Sequence, residues 1–244
     1  MSLAMQAGFW GLVGGSALLL GAGIAYVAKL PQRLIAAIMA IGSGVLISAV
    51  AFDLMDEAYK RGGFDSTALG FVGGALVYTM ANIVVSRAGA RHRKRSGSNP
   101  KASQSGDSGS GLAIAIGALL DGIPESVVIG VSLVTVAAVF LSNVPEGLSS
   151  AAGMKQAGRG PGYIFGVWGG IAVISGLAAL LGNLTLASAS PDVIAATTAV
   201  AAGAILAMLV DTMIPEATEE THEFSGLITV AGFLLAFVLS KLGG

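Results

Sequence analysis

Asp121 and Glu125 stand four residues apart in "LLDGIPESVV" (119–128), and Ser142 and Glu146 repeat that spacing in "SNVPEGLSSAAGM" (142–154), where Asn143 lies one turn from Glu146. A separation of four puts both members of a pair on one helix face. Everything gathered there is an oxygen donor: three carboxylates, the Asn143 amide and the Ser142 hydroxyl. Pro124 and Pro145 enlarge the set, because each lacks an amide and pushes away the carbonyl four residues back, releasing those of Leu120 and Leu141. Hard oxygen ligands suit Mg²⁺, Mn²⁺ and Fe²⁺, and zinc also accepts carboxylates. Three carboxylates favour a divalent ion over Na⁺ or K⁺. With no cysteine in 244 residues, a disulfide framework and a thiolate metal site are both excluded.

The elements that position these groups are apolar. Hydrophobic residues make up 54% of the chain, charged residues 11%, and the mean hydropathy is +0.81, whereas soluble domains carry about 25% charged residues. The expected solvent is a lipid bilayer, and a formal net charge of −1 gives no sign of a nucleic-acid partner, so none is expected. A hydrocarbon core ~30 Å thick takes roughly 20 apolar residues per crossing, and the chain divides into eight such spans, approximately 9–28, 34–55, 68–85, 112–133, 134–154, 163–181, 193–214 and 224–242. The fold class is therefore an all-α integral membrane protein with one transmembrane domain. As a single helix 112–154 would run about 65 Å, so a hairpin is predicted at "VSLVT" (131–135). It brings Glu125 level with Ser142, and Asp121 level with Glu146, roughly 12 to 19 Å from the turn and near mid-membrane. Irregular backbone at that depth is tolerated only where it lines an enclosed or watery cavity.

No lysine, arginine or histidine occurs between Gly111 and Leu141. A carboxylate at a helix centre costs about 2.5 to 3.5 kcal/mol on insertion scales, so Asp121, Glu125 and Glu146 together cost of the order of 9 kcal/mol, comparable with a whole domain's net stability. Either burial and mutual repulsion keep them protonated, or a mobile cation supplies the missing charge. The second reading makes the counter-ion the substrate.

Basic residues set the orientation. With the N-terminus outside, Lys29, Arg33, Arg87, Arg91, Arg93, Lys94, Arg95, Lys101, Lys155 and Arg159 face the cytosol, and only Lys60, Arg61 and Lys241 face outward. That asymmetry favours both termini outside. Residues 87–110 then form a cytoplasmic linker, Ser/Gly-rich and of disorder-promoting composition, between spans 1–3 (1–86) and spans 4–8 (111–244); His92 reads as a solvated linker residue. The first span lacks a basic n-region and reads as retained rather than cleaved. Span 2 ends "AFDLMDEA" (51–58) and span 7 ends "LVDTMIPEA" (209–217), the arrangement that an inverted repeat of spans 1–3 and 6–8 around a 4–5 hairpin would give. Asp53 and Asp211, near the ends of these spans, are candidate pathway residues. Glu216 and His222, in the acidic "EATEETHEF" (216–224), are candidates for collecting released metal. Asp56 and Glu57 should pair with Lys60 and Arg61 at the surface. Glycines such as Gly11, Gly15, Gly166 and Gly170 read as close helix contacts.

Eight spans, a variable loop after the third, and x-P-E-[GS] in "DGIPES" and "SNVPEG" resemble the ZIP family of divalent-metal transporters over essentially the whole chain. "SNVPEGLSSAAGM" and "MLVDTMIPEATEE" (208–220) are the most similar stretches. In this comparison Glu125 and Glu146 keep the family glutamates, Asp121 replaces a histidine, Gly122 an asparagine, Ser142 a glutamine or histidine, and Asn143 an acid. Span 6 lacks the glutamate that completes a second metal position in some members. The resemblance implies transport of zinc, iron, manganese or cadmium toward the cytosol across the plasma membrane, no cofactor beyond the transported ion, a homodimer, and an elevator-like movement of spans 1, 4, 5 and 6. Enzymes are disfavoured on the residues themselves: no Gly-x-Gly-Asp occurs, and His222-Glu223 meets Gly226 where a zinc protease needs its second histidine. A proton or cation channel using the same acids is the alternative.

Overall fold

The computed structural model describes residues 1–87, 117, 119–122 and 133–243. It is all-helical, with no strand among the described residues. Helix α1 (Leu3–Val27) starts where the Ser2 hydroxyl accepts from the Met5 amide, satisfying one of the donors a helix start leaves open. Helix α2 (Gln32–Ala49) passes into a π-helical turn, Val50–Leu54, and continues as α3 (Met55–Val85), which bends at Gly63. There φ is +69°, a conformation that glycine adopts without a Cβ clash. Helices α4 (Leu133–Gln156) and α5 (Pro161–Leu186) follow, joined through Gly158 at φ +76°. Helix α6 (Pro191–Met208), its own π-helical turn (Leu209–Met213), α7 (Ile214–Thr221) and α8 (Ser225–Gly243) complete the chain, with His222 at φ +45° between α7 and α8.

Four helical stretches are long and apolar enough to cross a membrane: Leu3–Val27, Gln32–Val85, Pro161–Leu186 and Pro191–Leu242. Gly63 and His222 break the second and fourth, which the sequence reading had divided in about the same places. The helices outrun the predicted spans, however, since both continue past Asp53 and Asp211 for two further turns. Only Arg87 of the 87–110 linker is described, and His92 lies outside the described residues.

Helices pair through glycines. An added Cβ at Gly74 of α3 would lie 1.9 Å from the Val200 carbonyl oxygen of α6, and one at Gly203 of α6 would lie 1.9 Å from that of Phe71. Helices α2 and α8 meet the same way, through Gly44 against Thr229 and Gly232 against Ile41, and α1 meets α4 through Gly21 against Val144 and Gly147 against Leu18. Gly11 and Gly15 do hold α1 against α5, as expected. Gly166 and Gly170 meet nothing among the described residues and are not packing contacts there.

Two cores result. One joins α2, α3, α6 and α7 around Met39, Leu46, Tyr78, Met208 and Met213. The other joins α1, α4 and α5 around Leu18, Leu148, Ile164 and Trp168. Charges collect at opposite ends of α2. The Lys155 ammonium donates to the Tyr26 carbonyl at 2.6 Å and sits over the Tyr26 ring, which puts the turn after α1 beside the turn after α4. At the far end Asp56 pairs with Lys60 at 2.6 Å, Glu57 pairs with Arg61, and Lys241 lines one groove with Asp56 and Tyr59.

Candidate metal site

Helix α4 carries a polar stripe through an apolar bundle. Ser142, Asn143, Glu146, Ser149 and Ser150 are all buried, and their spacing keeps them on one side of the helix. Pro145 sits inside the helix, which continues through it; its ring lies against Gly42 of α2, where an added Cβ would come 2.8 Å from the proline Cγ. The close approach at Gly147 draws α1 onto α4. One turn before it the Asn143 side-chain amide donates to the Gly14 carbonyl of α1 at 3.0 Å. Ser142 donates to the Val139 carbonyl of its own turn at 2.9 Å. Both side chains are thus oriented through their donors.

Asp121 is fully buried. Its Oδ1 accepts from the Tyr78 hydroxyl of α3 at 2.7 Å. The helical residues around it lie where the two cores meet: Leu119 packs on the α1/α4/α5 core, Leu120 on the α2/α3/α6 core, and Gly122 faces Ile171 of α5. Glu125 and Pro124, the other half of this predicted site, lie outside the described residues, as does the start of the predicted hairpin turn at 131–132.

The sequence groups Glu216 with His222 in one acidic stretch as candidates for collecting metal. The structure separates them. Glu216 is 5% exposed, and its Oε1 accepts from Ser149 at 3.1 Å, one turn along α4 from Glu146. His222, Glu219 and Glu223 face outward. The π-helical turn at Leu209–Met213 explains the difference, because one extra residue in a turn rotates everything after it by about 100°. Among the described residues no three histidines or acids converge into a metal-binding group, so the described part of the site is a stripe that runs from Ser142 to Glu216.

Asp53 and Asp211, expected near helix ends, instead sit within the two π-helical turns. Asp53 is half-buried and accepts from Ser240 of α8 at 2.9 Å; Asp211 is exposed and accepts from the Asn82 amide of α3 at 3.1 Å. Tyr78 and Asn82 were missed by sequence reasoning. Their signal was the run Gly70, Gly74, Tyr78, Asn82, four residues apart on one face of α3.

No protein-family model matches the chain, and no curated protein matches it.

Proposed function

We propose that the chain is a carrier that moves a divalent cation across a membrane, with the acids of 119–125 and the polar side chains of α4 as the transport site. One observation carries this reading: the buried residues of charged type among the described residues are Asp121, Glu146 and Glu216, all carboxylates, and every described lysine, arginine and histidine is more exposed. Tyr78 and Ser149 hydroxyls order two of these carboxylates without cancelling their charge. Each such charge costs about 2.5 to 3.5 kcal/mol at the middle of a bilayer, and a divalent ion offsets two.

The carrier has eight crossings in this proposal. Gly63 and His222 divide the two longest helical stretches, α4 adds a crossing of about 36 Å, and the segment around Asp121 adds the last. Spans 1–3 and 6–8 form an inverted repeat. In its support, α2 and α6 are each 18 residues long and each run into a five-residue π-helical turn. Equivalent residues stand 159 apart: Gly44 and Gly203, Glu57 and Glu216, Gly63 and His222. The ladder of contacts repeats as well, because α2 meets α8 as α6 meets α3.

Within that repeat Asp53 marks the approach from one side, and Ser149 with Glu216 the departure on the other. Lys29, Arg33, Lys155 and Arg159 gather at the Glu216 end. The positive-inside rule makes that end cytosolic, so movement is inward across the plasma membrane, with both termini outside. The x-P-E-G pattern and this arrangement make the chain a distant relative of the ZIP transporters, and a homodimer goes with that relationship. Cells producing the chain should accumulate radioactive Mn²⁺, Zn²⁺, Fe²⁺ or Cd²⁺ saturably, and cells producing Glu146→Ala should not. Accumulation that does not saturate, or that survives the substitution, refutes the proposal.

A further inference from the structure

The strongest feature that the proposed transport does not yet use is Tyr78. It is 1% exposed, lies in the apolar core with Leu46, Met208 and Leu209, and its hydroxyl donates to fully buried Asp121 at 2.7 Å. Its position is built by the backbone. Gly70 and Gly74, two turns and one turn earlier on the same face, bring α3 so close to α6 that an added Cβ would meet the Ala196 carbonyl oxygen at 2.6 Å and that of Val200 at 1.9 Å, respectively. A helix held at this distance has little freedom to slide or rotate. The phenol therefore arrives at Asp121 from a fixed wall.

Resting on the carrier reading, we propose that Tyr78 is the positioning residue for the metal ligand Asp121. A hydroxyl donating to a carboxylate forms a charge-assisted hydrogen bond, which selects one rotamer of the acid and so fixes the direction in which its oxygens face. Groups that orient a ligand in this way change metal affinity by about 10- to 100-fold when removed. Tyr78 touches Asp121, not the ion. The next turn of α3 repeats the device at Asn82 and Asp211, so a single face of one helix holds two acids.

The test measures equilibrium binding of Mn²⁺ to the purified full chain in detergent, in a cycle of wild type, Tyr78→Phe, Asp121→Asn and the double variant. Tyr78→Phe removes only the hydroxyl and should raise the Kd by about 10- to 100-fold. In the Asp121→Asn background the same change should have no further effect, because Tyr78 acts through that carboxylate. Losses that simply add, or a Tyr78→Phe variant that binds like wild type, overturn the inference. A second measurement keeps Tyr78 in place: Zn²⁺ should alter the Raman doublet that reports tyrosine hydrogen bonding in wild type and leave it unaltered in Asp121→Asn, and an unaltered wild-type doublet counts against Tyr78. Failure of wild type to bind either metal, or unchanged binding by Asp121→Asn, overturns the underlying site as well, which distinguishes the two failures.

Discussion

A methyl group on Gly74 should disable the site from a distance. Alanine there places its Cβ 1.9 Å from the Val200 carbonyl oxygen and 2.6 Å from the carbonyl carbon. Both are backbone atoms, so no side-chain rotation relieves the overlap, and non-bonded atoms need ~3 Å or more, which requires α3 and α6 to part by roughly 1 Å. Overpacking of this kind costs about 1 to 3 kcal/mol. It also carries Tyr78, one turn on, away from Asp121, and a 2.7 Å bond lengthened by roughly 1 Å is no longer a hydrogen bond. Gly74→Ala should therefore lower thermal stability and weaken Mn²⁺ binding together. Gly73→Ala is the control, because a Cβ there meets nothing within 4 Å among the described residues, and alanine in a helix is favoured over glycine by ~1 kcal/mol. Melting curves and binding isotherms for the two variants in the same detergent decide it. If Gly74→Ala matches Gly73→Ala in both, the close contact between α3 and α6 does not position the site.

Other expectations follow from the same arrangement. Glu125→Ala and Glu146→Ala should each abolish metal uptake while membrane insertion, followed by fractionation, stays intact. Asp121→His exchanges a hard oxygen for an imidazole and should shift paired-metal competition toward zinc and away from Mn²⁺, with Asn143→Asp added to it restoring activity; an unchanged ratio removes Asp121 from the ligands. Glu216→Gln keeps shape and hydrogen bonding but deletes the charge next to Ser149, so transport should slow by about tenfold in Vmax, while the external half-saturation concentration holds, as expected for a release step. A cysteine at position 98 should resist an impermeant reagent in intact cells and a cysteine at position 60 should react, and the reverse result inverts the topology.

Apolar runs made the helices and most of their breaks legible, because a bilayer leaves backbone only helices or closed barrels to satisfy its hydrogen bonds. The stripe on α4 was legible too: Ser142, Asn143 and Glu146 declared themselves by spacing, and all three are buried. What stayed hidden was rotational. A π-helical turn adds a residue to a helix without any compositional mark, so neither the mid-helix setting of Asp53 and Asp211 nor the inward turn of Glu216 followed from "LVDTMIPEA". Tyr78 was passed over because a lone tyrosine in an apolar span reads as core. Its meaning came from the neighbours at intervals of four, two glycines that permit contact and an asparagine that binds a second acid. Gly166 and Gly170 erred in the opposite direction, having the spacing of a contact without a partner among the described residues.

Purified chain in sealed vesicles, with internal divalent-ion and proton indicators read together, tests most directly whether the counter-ion of the buried acids is what crosses the membrane. The account predicts saturable entry of Mn²⁺ or Zn²⁺, mutual competition between the two metals, and loss of the signal in Glu146→Ala. A proton current that proceeds at full size without any metal, and that Glu146→Ala abolishes, would contradict it by making the same carboxylates a proton path.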